Sequence, residues 1–155
     1  MHAPDFVEPL IGYRQWSLHD DALWSPFVEF MWARGVNVAD CAAADGHLDP
    51  APAHECACGL HAWYRPCPRL GYATPDLIGG AVAMWGEVEL HASGMRAQFA
   101  TVVALVLPLA HTPKRRRLAA IAETLDVEAV PARQLVETAR HYGLPIGSEL
   151  TPSAA

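Results

Sequence analysis

The side chains best suited to chemistry lie between Cys41 and Ala62. The stretch CAAADGHLDPAPAHECACGLHA holds three of the four cysteines and three of the eight histidines. Zinc takes four nitrogen or sulfur ligands in a tetrahedron, and thiolates are among its best partners. Cys56 and Cys58 flank a single residue, so both sulfurs can turn toward one ion from a loop. Cys41 lies far enough upstream for the Ala/Pro-rich segment between them to fold back. His54 is taken as the fourth ligand, with His47, His61 and Cys67 as alternatives. The expectation is a structural zinc site. Two other readings stand beside it: small, buried, inert thiols, and a redox pair in which a helix N-terminus activates the Cys58 thiolate. An intramolecular Cys56–Cys58 disulfide is disfavoured, because closing so small a ring strains the bond.

A second constellation follows. Trp85, Glu87, Glu89 and His91 share one parity of an alternating segment, and Arg96 and Gln98 come just past a turn. Acid, imidazole and guanidinium in one patch are what general acid–base catalysis with an anion clamp needs. Glu87, His91 and Arg96 are therefore the weak catalytic candidates, for an enzyme acting on a small anionic substrate. A solvated strand face with cross-strand ion pairs explains the same alternation. A third feature is Lys114-Arg115-Arg116-Arg117 in the first turn of an expected helix. Capping N–H groups and arginines there suit a phosphate, so Arg115 to Arg117 are the candidates for nucleic-acid contact. A short charge run is also simply a solvated face.

Elements must hold these residues in place. Leu10 to Leu18 reads as a strand, and His19-Asp20-Asp21 as a turn. Leu23 to Trp32 returns as a second arm, demoted by Pro26 to an edge strand or a bulge. Residues 42–53 form a loop of Ala, Asp, Gly and Pro, and Cys58 to Trp63 a short helical turn. In Ala81 to His91, Val82, Met84, Val88 and Leu90 make the inner face of a strand whose outer face is polar. Arg96 to Leu107 is the return strand, and its unbroken Val/Ala/Leu run predicts burial on both faces. Thr112-Pro113 caps a helix carrying Leu118, Ile121, Ala122 and Leu125. Val127 to Val130 reads as a short strand. Pro131 starts a second helix, with Leu135, Val136, Ala139 and Tyr142 on one face and Gly143 as its stop.

The expected fold is α+β: a small antiparallel sheet or partly open β-barrel, a loop-borne metal knot and two C-terminal helices. A length of 155 residues fits one domain over 10–147, with flexible tails at 1–9 and 148–155. With 52% hydrophobic and 18% charged residues, the chain is not a disordered one. A net charge of -6 argues against broad nucleic-acid binding and against an anionic membrane surface. The N-terminus lacks a basic n-region and a long apolar run, and Thr101 to Ala110 is too short to span a bilayer. The expected compartment is the cytoplasm, where clustered thiols point to metal before disulfides. Phosphate-loop, dinucleotide, nucleophile-elbow and H-E-x-x-H patterns are absent from the sequence. Together these features suggest a zinc-binding interaction or regulatory module with an unidentified protein partner.

The pieces Gly12-Tyr13-Arg14 with Trp16, Gly35-Val36-Asn37 followed by Cys41, and Pro50 to Pro52 leading to Cys56-x-Cys58-Gly59-Leu60-His61-Ala62 come in a specific order. Trp85-Gly86-x-Val88 and Gly94-Met95-Arg96-Ala97 complete it. In this order the chain resembles a family of small actinobacterial and phage proteins of uncharacterised function, over residues 11–107. The resemblance implies that Cys41, Cys56 and Cys58 belong together. It also implies a histidine just before the Pro-x-Pro, where this chain has Asp49, so Asp49 joins His47 and His54 as a candidate for that ligand.

Overall fold

The structure is a computed structural model, and it describes residues 8–41, 43, 46–66 and 77–153. The fold is α+β: among the described residues, a nine-stranded sheet, two helices, and a Cys/His cluster carried on a loop.

Two long strands form the spine. β6 (Leu77–Leu90) and β7 (Gly94–Val106) pair as an antiparallel hairpin, and β1 (Leu10–His19) lies antiparallel against the other edge of β6. β5 (Leu60–Trp63) pairs with β7 through four residues and with β1 through the single pair Tyr13–Trp63. That one pair joins the strands into a ring without making the sheet a clear barrel. Asp20 and Asp21, at φ 49° and 56°, turn β1 into the short β2 (Ala22–Trp24). Positive φ at both centres matches the right-handed twist of a hairpin. Pro26 has no N–H to give a ladder, and the chain leaves the sheet there before β3 (Met31–Trp32) pairs with β2. β4 (Asn37–Val38) runs antiparallel to β7. β8 (Glu128–Val130) and β9 (Leu144–Pro145) add parallel to β7 and β1.

Both faces of the spine are covered, which is why β7 is apolar at almost every position. On one face Trp16, Met84, Leu90, Met95 and Leu105 meet Leu118 and Ile121 of α1 (Pro113–Leu125). On the other, Ile11, Tyr13, Ala81, Ala83 and Val103 meet Leu135 and Ala139 of α2 (Leu135–Ala139). α1 begins as the sequence predicts: the Thr112 side chain accepts the Arg115 N–H, and Pro113 takes the first turn.

Three expectations change. Cys58 to Trp63 is not a helical turn: Leu60 to Trp63 is strand β5, with Leu60 and Ala62 buried and His61 and Trp63 exposed. Four residues carry too little pattern to reveal themselves, and their ladder partners on β7 lie far away in sequence. The outer face of β6 is not uniformly solvated either. Gly86, at φ 81°, marks an extra residue between Trp85 and Val88, and a Cβ there would stand 2.6 Å from the Phe99 ring. This bulge leaves Glu87 exposed, while Glu89 is buried. The second helix ends at Ala139, well short of Gly143, and single turns carry the chain from Arg140 to Tyr142. The tail expected at residues 1–9 falls largely outside the described residues. Ser148–Leu150 forms a 3-10 turn whose Leu150 packs against the core. No helix among the described residues is long and apolar enough to cross a membrane.

Candidate metal centre

One donor atom from each of Cys41, His47, Cys56 and Cys58 lies within 4.8 Å of all the others. The Cys41 and Cys56 sulfurs are 3.6 Å apart, and His47 Nε2 is 3.2 Å from Cys58 Sγ. A disulfide holds its sulfurs at about 2.05 Å, so these are free thiols. Sulfurs at the corners of a zinc tetrahedron with ~2.3 Å bonds stand about 3.8 Å apart, which is close to the spacing found.

Local structure sets each donor. The Asp40 Oδ1 accepts the Cys41 N–H at 2.9 Å and fixes the chain as it leaves β4. Gly46, at φ 47°, turns the loop just before His47. The Asp49 carbonyl lies 2.7 Å from His47 Nδ1. A carbonyl only accepts, so Nδ1 carries the proton and the neutral ring keeps its lone pair on Nε2, the atom that faces Cys58. Metal-bound imidazoles are held in this way, with the second nitrogen donating to a carbonyl or carboxylate. Gly59, at φ 118°, then turns the chain from Cys58 into β5. A Cβ there would lie 3.1 Å from side-chain atoms of both Arg96 and Pro52.

The thiols differ in their surroundings. The Cys58 N–H, the neighbouring thiols and His47 bring the Cys56 thiol down to about 7. Burial pushes the Cys58 thiol up, although the Ala53 N–H points at its sulfur from 3.4 Å. The Asp49 carbonyl, ahead of the Cys56 sulfur, raises the His47 imidazole. A low-pKa thiol next to others that share its hydrogen bonds is a donor set ready to exchange protons for a cation.

Beneath the loop sits Arg96, 4% exposed. Its Nη1 donates to the carbonyls of Cys56 and Cys58, and its Nη2 to the Ala53 carbonyl at 3.1 Å and to Glu89 Oε2 at 2.7 Å. The guanidinium thus ties three carbonyls of the cysteine loop to β7. Glu89 holds the guanidinium in turn and also lies 3.3 Å from His91 Nε2.

The sequence candidates fall out as follows. Cys41, Cys56 and Cys58 come together. His54, taken as the fourth ligand, is exposed and outside the group, and His47 is the imidazole that stands with the three sulfurs. His61 turns its Nε2 to the Ala57 carbonyl at 3.0 Å, and Asp49 enters through its backbone oxygen alone. Cys67 lies outside the described residues. Arg96 and His91 meet on the Glu89 carboxylate, with Glu87 outside that contact; His91 also borders a cavity whose described lining includes neither Glu87 nor Arg96. Arg96 clamps the cysteine loop through its carbonyls. Of the basic run, Arg115 donates to the Pro108 carbonyl and Arg117 pairs with Asp21 at 2.9 Å.

Sequence reasoning missed Arg14, which is buried beside Trp16 and Trp32. The signal was its parity: Arg14 shares the strand face of Leu10 and Trp16, where a charge is out of place. Comparison with family models, curated proteins and solved structures returns no match.

Proposed function

We propose that this chain is a non-enzymatic zinc-binding module for interaction or regulation, working in the cytoplasm with a protein partner. Cys41, His47, Cys56 and Cys58 hold the ion, which fixes a loop too poor in apolar side chains to order itself. The observation that carries the reading is the four-donor group itself, three sulfurs and one imidazole nitrogen within 4.8 Å of one another. Zinc is favoured because a Cys3His set of this kind is closed, soft and tetrahedral, with no ligand position left over for substrate. Support comes also from the outer contacts: the Asp49 carbonyl orients His47, and Arg96 gathers the backbone of both cysteines in the Cys56–Cys58 pair. The ordered loop would then present its exposed residues, among them His54, Glu55 and Ala57, to the partner.

Metal analysis of untagged protein tests this. About one equivalent of zinc per chain is expected, with chelator lowering the unfolding midpoint. Less than about a tenth of an equivalent, with unfolding indifferent to chelator, overturns it.

A further inference from the structure

A cavity of about 610 Å³ opens between the 25–30 loop, β5 and the turn after β6. Its walls include Phe27, Phe30, Leu60, Ala62 and Met95, and Arg14 lines it as well. Volumes of this order hold small organic molecules. Phe27 and Val28, 95% and 60% exposed, line the cavity as exposed apolar surface.

Arg14 is the unusual wall residue. It is 8% exposed, yet the ion pairs among the described residues join Arg34 to Asp126, Glu89 to His91 and Arg96, and Arg117 to Asp21, leaving Arg14 out. Its charge rests on weaker partners. The guanidinium carbon sits 4.3 Å from the Trp32 ring centre and 5.5 Å from that of Trp16. Nη1 donates to the His61 carbonyl at 2.9 Å and Nη2 to Ser25 Oγ at 3.2 Å, while Nε has no partner among the described residues. Burying a cation without a counter-ion is unfavourable, and burial alone lowers this guanidinium to about 10. The one acid on the described wall, Asp40, is exposed, and its Oδ1 already accepts the Cys41 N–H.

We propose that this cavity binds a small organic anion, a carboxylate on an apolar or aromatic body, with Arg14 taking the carboxylate. The guanidinium is planar and offers N–H groups in a fork that matches carboxylate geometry. Trp32 and Trp16 hold that fork in place, and the Leu60, Ala62 and Met95 walls accept the body. The site uses none of the metal-ligating side chains, so it stands apart from the zinc reading.

The test compares 1-naphthaleneacetate with 1-naphthaleneacetamide, which has the same shape without the charge, by calorimetric titration of the full chain. The acid is expected to bind at least about tenfold more tightly than the amide, a difference of about 1.4 kcal/mol. Acetate alone is expected to bind at least about tenfold more weakly than the naphthyl acid. Arg14→Met is expected to remove the preference for the acid. Should that variant not fold, the wild-type chain decides by NMR: the Arg14 Nε–H resonance must shift with the acid and not with the amide. Equal binding of acid and amide overturns the proposal. So does absence of binding at about 1 mM acid, a preference that survives in Arg14→Met, or an Arg14 resonance that ignores the acid.

Discussion

Replacing Arg96 by Met keeps most of the side chain's bulk and removes every donor it offers. In the wild type those donors serve the carbonyls of Ala53, Cys56 and Cys58 and the carboxylate of Glu89. Arg96 and Glu89 side chains are 5% and 8% exposed, so the substitution strands a buried carboxylate. Breaking a buried pair from one side destabilises by about 3–5 kcal/mol. The three carbonyls belong to half-buried loop residues, adding roughly 0.5–1 kcal/mol each at most. A loss of about 4 kcal/mol is the central expectation. Urea unfolding of Arg96→Met, Glu89→Gln and the double variant reads it. Glu89→Gln relieves the stranded charge, so the double variant should lose at least about 1 kcal/mol less than the sum of the singles. With the backbone of Cys56 and Cys58 released, zinc affinity should fall about 10–100-fold, as it does when outer contacts of a metal ligand are removed. A loss below about 1 kcal/mol, additive with Glu89→Gln and without effect on zinc, would refute the view that Arg96 anchors the loop.

Further outcomes follow from the same contacts. Burial acts to raise the Glu89 carboxyl, but the hydrogen bond and charge of Arg96, with His91, outweigh it and hold it below the usual range. The folded state therefore binds fewer protons there than the unfolded chain. The resulting stability is fully present above about pH 4.3 and is lost as pH falls through the folded value. Glu89→Gln should flatten that part of the acid limb in a series of unfolding curves. The Asn37 side chain accepts the Ala33 N–H at 2.8 Å and donates to the Ala33 and Gly35 carbonyls. Asn37→Ala should cost about 1–3 kcal/mol in chemical denaturation, and a change within experimental error would deny the turn its brace. Gly86→Ala meets both φ 81° and a Phe99 ring atom 2.6 Å from the new methyl. A loss of about 1–2 kcal/mol is expected by thermal unfolding, and a gain in stability would show that the bulge is not required.

Much of the spine was legible because its signals are local. The inner parity of β6, the apolar run of β7 and the Thr112-Pro113 cap each depend on residues a few positions apart. β5 was not legible as a strand, since Leu60 to Trp63 owes its conformation to Gly94–Ala97 across the sheet. The three cysteines were legible as a group from their spacing and their thiol chemistry. The choice of histidine was not: a patternless loop of Ala, Asp and Pro sets no periodicity, and His47 and His54 are equivalent to any spacing argument. What separates them is the Asp49 carbonyl on Nδ1, a contact made only once the loop is folded. Arg96 was noticed for its charge, but its hold on the cysteine loop was not foreseen. Its partners are backbone carbonyls, which no side-chain pattern announces.

The account stands on four donors meeting at one cation. X-ray absorption at the zinc edge of the purified chain measures that shell directly. Three sulfurs at about 2.3 Å and one nitrogen at about 2.0–2.1 Å are predicted, with the nitrogen lost in His47→Ala and kept in His54→Ala. A shell of oxygens, or a nitrogen that disappears with His54 instead, would contradict it.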